Sequence, residues 1–66
     1  MIVTAHCLRD GDWWVVDVPE VPGALTQGRT LDEAATMAAD AVASLLEIDV
    51  RTVRVQVVTE PHAVTA

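Results

Sequence analysis

The side chains able to do chemistry are few and crowd toward the N-terminal third of the sequence. His6 and Asp17 fall on two adjacent apolar-alternating segments, "MIVTAHCLR" and "WWVVDV", which read as the arms of a hairpin. Diagonal across that hairpin, they could form half of a general acid/base pair. A surface histidine beside a cross-strand carboxylate is far commoner than a catalytic one, so no catalytic residue is expected. Asp10, Asp12, Asp17 and Glu20 form an acidic set of the kind that holds divalent cations. Two of them sit in the hairpin turn, where aspartate is favoured for backbone reasons. Their spacing fits no metal loop, so no metal is expected. Cys7 should face inward beside Trp14, and His62 lies far along the chain, which leaves neither a nucleophile nor a metal pair. Gly23 and Gly28 are not followed by Lys-Ser/Thr, and the helix that starts nearby opens on acids that would repel phosphate. Nucleotide and other cofactors are not expected.

These residues must be positioned by a small fold. "DG" at Asp10-Gly11 is a favoured two-residue type I′ turn. With that turn Arg9 pairs with Asp12, Cys7 with Trp14, Ala5 with Val16 and Val3 with Val18, which places the last three pairs on one apolar face. The opposite face carries Ile2, Leu8, Trp13 and Val15 among polar groups and forms an exposed apolar patch, the usual mark of an association surface. "PEVPG" at 19–23 ends the second strand, because proline has no ladder donor and glycine reaches backbone angles closed to other residues. "ALTQG" is a short third strand. Thr30, Leu31, Asp32 and Glu33 form a capping box that starts a helix at Leu31, with Asp32 and Glu33 at the favourable end of its dipole. Leu31, Ala34, Ala35, Ala38, Ala41, Val42, Leu45 and Leu46 recur at helical spacing to about Glu47. "TVRVQVVT" at 52–59 returns to strand alternation and Pro61 ends it.

The order predicts an α+β domain of two layers, β-β-β-α-β, with one helix covering one face of the sheet. Residues 1–60 form this domain and 61–66 a loose tail. Half the composition is hydrophobic, at 52%, but 10 Ala and 12 Val supply most of it and only two residues are aromatic, so the core must be small. Setting roughly 1.5 kcal/mol of ordering entropy per residue against that burial leaves a net near zero, and a second chain is expected to help. Ten acids against four arginines and no lysine give a formal charge of −6. Direct nucleic-acid binding is therefore disfavoured and a basic partner favoured. A single cysteine, no leader pattern and no apolar run of membrane-spanning length predict a cytoplasmic protein with no membrane contact.

One long pattern goes further. An aromatic pair, an apolar strand, Pro19-Glu20-Val21-Pro22-Gly23, then Thr26-Gln27-Gly28, then Thr30 with Glu33-Ala34 ahead of an alanine-rich helix, resembles the HicB antitoxin family over nearly the whole chain. The resemblance implies a partial, degraded RNase H-like fold without nuclease activity. It also implies a partner, a small basic HicA-type toxin that cleaves mRNA, held so that its active or RNA-binding surface is covered. Trp13, Val15, Asp17 and Glu20, with Asp32, Glu33 and Asp40 of the helix, are the partner-binding set on this reading. Such antitoxins usually carry a C-terminal DNA-binding domain, and no basic helix follows the fourth strand here, so none is expected. Two other readings stay open: a homo-dimeric or larger structural or regulatory module without a toxin, and a residual metal-dependent nuclease.

Overall fold

The structure, a computed structural model, describes residues 1–59. Strands β1 (Ile2–Asp10), β2 (Trp13–Asp17) and β3 (Leu25–Gly28) are followed by helix α1 (Leu31–Leu46), a single 3-10 turn (Val50–Thr52) and strand β4 (Arg54–Thr59). The four strands form one sheet in the order β3-β2-β1-β4. Neighbours are antiparallel except β1 and β4, which run parallel after the crossover through α1. The two-layer α+β architecture expected from the sequence is present. The expected tail, 61–66, lies outside the described residues.

The hairpin register differs from the expected one. Asp10 pairs with Trp13, Arg9 with Trp14 and Cys7 with Val16, so the turn residues are Gly11 and Asp12. Gly11 has φ 61° and Asp12 is not in the positive region, the pattern of a type II′ turn with glycine first rather than type I′ with glycine second. Moving a two-residue turn along by one shifts the register by two, and side-chain faces repeat every two residues. The predicted inward set therefore survives the wrong pairs: Val3, Ala5, Cys7, Val16 and Val18 are fully or almost fully buried.

Between β2 and β3 the chain folds back on itself. Val21 N–H donates to the Val18 carbonyl and Ala24 N–H to that of Val21, at 3.0 Å each, while Val18 N–H reaches the Ala24 carbonyl at 3.2 Å. Val18, Val21 and Ala24 are buried by this arrangement. Gly23 sits at φ 93°, a conformation that admits few side chains.

Helix α1 begins where the capping box placed it. Thr30 Oγ1 accepts from Glu33 N–H at 3.0 Å. The Glu33 carboxylate accepts from Arg29 N–H, one residue ahead of the cap, rather than from a first-turn amide. Ala34, Ala38 and Val42 are fully buried against the inward face of the sheet. The close approach has a specific enabler at Gly28, where a Cβ would stand 2.6 Å from the Ala34 amide nitrogen. The helix ends at Glu47 in the left-handed region, with φ 56°.

The fourth strand is shorter at its start than the alternation suggested. Asp49 takes over: Oδ1 accepts from Arg51 N–H at 2.9 Å and its carbonyl accepts from Thr52 N–H at 2.9 Å and Thr52 Oγ1 at 2.7 Å. These local bonds compete with the sheet ladder and hold residues 50–52 in a tight turn. The exposed Arg51–Asp49 ion pair beside it, at 2.7 Å, adds little.

Candidate functional site

The helix covers one side of the sheet and leaves the other side open. Strand alternation and the observed register put five rows of side chains there, Asp10 with Trp13 lying at the hairpin end. Leu25, Asp17, His6 and Val58 form one row across all four strands. Gln27, Val15 and Leu8 form the next, Thr4 and Gln56 another, and Ile2 with Arg54 the last. His6 and Asp17 are thus direct register partners, not diagonal neighbours.

Several large apolar side chains stand exposed on this face among the polar ones. Leu25 is 68% exposed, Ile2 60% and Leu8 52%, with Val15 and Val58 also exposed. The expected patch of Ile2, Leu8, Trp13 and Val15 is there, but Trp13 is only half-exposed. The Arg29 guanidinium lies over its ring, 4.6 Å from the centroid, and covers part of one indole face. Trp14 points to the core side, half-buried, with Arg9 at 5.2 Å.

Glu20 is fixed at one end of the face. Its carboxylate accepts from Thr4 N–H at 2.9 Å and from Thr4 Oγ1 at 2.7 Å. Pairing of β1 with β2 begins only at His6, so Glu20 supplies the acceptor that β2 no longer offers. The backbone bond from Thr4, then its hydroxyl, hold the Glu20 carboxyl below its ordinary value, with a smaller contribution from the nearby His6. The carboxyl is fully exposed to water even so.

The predicted partner-binding residues fall into two groups. Trp13, Val15, Asp17 and Glu20 belong to the open face or its rim. Asp32, Glu33 and Asp40 lie on α1, in the layer packed against the opposite face, and Glu33 is engaged in capping. The two groups lie in different layers and approach each other where Arg29, just ahead of the helix cap, lies over Trp13. The sequence reading missed Leu25, the most exposed large apolar side chain of the face. Its parity was available from Gly28, which must face the helix, so that Leu25, three residues earlier, faces away.

Cys7 is buried, its thiol directed at the Ala5 carbonyl 3.6 Å away, and burial pushes its pKa up. It is not placed as a nucleophile. Among the described residues no three His, Cys, Asp or Glu side chains converge as a metal site, and no helix is long and apolar enough to cross a membrane. Comparison with protein-family models, with curated proteins and with solved structures finds no match to this chain.

Proposed function

We propose that this chain is a non-catalytic binding domain of the HicB antitoxin kind, with a partial RNase H-like fold, acting in the cytoplasm. It holds a small basic HicA-type ribonuclease against the open face of its sheet and covers the surface that RNA needs. The observation that carries this reading is the open face itself: exposed Leu25, Ile2, Leu8 and Val15 lie beside Asp17 and Glu20 in a chain of net charge −6. Exposed apolar area supplies affinity once water is expelled, and the carboxylates steer a basic partner and fix its orientation. The helix acids Asp32 and Asp40 add to the long-range field without touching a partner seated on the sheet.

A second reading, a homo-oligomeric module without a toxin, draws on a different observation. The largest fully buried side chains are valines, whereas the leucines, isoleucines and methionines other than Leu31 are exposed. That distribution supports association of some kind but does not select a basic partner.

The test is retention of proteins from the source organism's lysate on the immobilised chain at moderate salt, followed by an RNA-cleavage assay of what is retained. One small basic protein whose cleavage the chain blocks supports the antitoxin reading. Recovery of the chain's own copies alone favours the module.

A further inference from the structure

We infer that the outer edge of β4 is the seat of a second copy of this chain, which adds its own β4 antiparallel across a two-fold axis. Two four-stranded sheets thereby join into one continuous sheet, with the open faces left free for another partner.

The backbone dictates the kind of occupant. Arg54 N–H donates to the Met1 carbonyl at 2.7 Å, and Arg54, Gln56 and Val58 are the residues opposite Ile2, Thr4 and His6. Successive residues of a strand turn their amide and carbonyl groups to opposite sides, so those of Val55 and Val57 point away from β1. β4 is the last strand of the sheet, and among the described residues no strand meets this row. Only another extended segment can satisfy such a row in register.

The edge also lacks the usual protections. "RVQVVT" has no proline, no lysine and a single charge, Arg54. The opposite edge, β3, is four residues long and ends at Gly28 under the helix. Val57 is 40% exposed on the helix side of the sheet and Val58 41% exposed on the open side, so apolar surface flanks the β4 edge above and below.

Charge selects a second copy as the occupant. The chain carries −6 overall, but β4 contains no acid. The described acids lie in the hairpin, the β2–β3 loop, α1 with its cap, and Asp49. Two copies that meet edge to edge at β4 keep these carboxylates apart, and antiparallel pairing about a two-fold axis brings together the outward amide and carbonyl groups of Val55 and Val57 of each copy. Closed two-fold dimers are also the commonest solution for such self-complementary surfaces. The added burial supplies what a core with no fully buried side chain larger than valine lacks.

The experiment is sedimentation of the full chain over a range of concentrations around 10 μM, with circular dichroism on the same samples. Val57→Pro removes an outward amide but no bond to β1, and proline is tolerated at such edge positions. Val57→Lys leaves the backbone intact and sets like charges against each other across the axis. Leu8→Lys alters only the open face. The wild type and Leu8→Lys should sediment as dimers, and both Val57 variants as folded monomers with self-affinity reduced roughly 100-fold. If Val57→Pro loses its fold, Val57→Lys decides. A monomeric wild type, a Val57→Lys variant that stays dimeric, or a dimer lost in Leu8→Lys would overturn the inference.

Discussion

Single side chains here do their work by replacing partners that the backbone has lost. Glu20 stands in for a strand at Thr4, with contacts of 2.7 and 2.9 Å to its hydroxyl and amide. Because these bonds lower the folded-state carboxyl pKa below its ordinary 4.5, Glu20 contributes stability that is fully present above that value. The contribution is lost as pH falls through the lowered value. Asp49, held down by the Arg51 side chain and then its amide, acts in the same direction. Glu20→Gln should therefore lower stability by a constant amount at neutral and alkaline pH, and flatten the acid limb of a denaturation-midpoint profile below about pH 4.5. An acid limb identical to the wild type would show the Thr4 contacts to be energetically idle. On the proposed function Asp17, central on the open face, steers the partner. Asp17→Lys should weaken binding of a basic partner and reduce its salt dependence, measured as the slope of log affinity against log salt.

At the scale of elements, the join between β3 and α1 is the tightest point. A methyl at position 28 would meet the backbone of Ala34 at 2.6 and 2.9 Å, and backbone cannot rotate away as a side chain can. Gly28→Ala should cost roughly 2–3 kcal/mol in denaturant unfolding, a large part of the stability available to so small a domain. The other end of α1 offers a gain. Glu47 occupies the left-handed region, and its negative charge sits at the negative end of the helix dipole. Glu47→Gly should raise stability by about 1 kcal/mol, seen as a higher denaturant midpoint at unchanged slope.

These elements also show what the sequence reveals. The capping box at Thr30 and Glu33 and the helical spacing of alanines placed α1 to within a residue, because those signals are local. Strand faces were legible for the same reason, since alternation depends only on parity. The hairpin register was not. Asp10-Gly11 and Gly11-Asp12 are both good turns, and the choice between them depends on which pairs the sheet and helix accept. The first residues of the expected fourth strand were lost to Asp49, whose side-chain bonds compete with the sheet at short range. Of the candidate site, parity made the apolar residues of the open face legible at Ile2, Leu8, Trp13 and Val15. The helix acids that the resemblance groups with that face, Asp32, Glu33 and Asp40, lie on α1. Parity alone could not foresee that Arg29, far along the chain, would lie over Trp13.

For the molecule as a whole, the large aliphatic side chains lie outside and the small ones inside. Valine, alanine and cysteine fill the core between sheet and helix, while Ile2, Leu8 and Leu25 face water on the sheet and Leu45, Leu46 and Ile48 do so near the end of the helix. A domain built this way gains burial by meeting another protein. The open face supplies an apolar surface with acids beside it, and the β4 edge supplies an unpaired strand, so the two can be occupied at once. The central claim is that the open face holds a small basic ribonuclease and blocks its access to RNA. Its most direct test is a titration of that protein's RNA cleavage with the wild-type chain and with a Leu8→Asp, Leu25→Asp double variant whose fold is verified by circular dichroism. Stoichiometric inhibition by the wild type, weakened at least about tenfold in the variant, is the predicted result. Cleavage that the wild type leaves untouched, or that the variant blocks equally well, would contradict it.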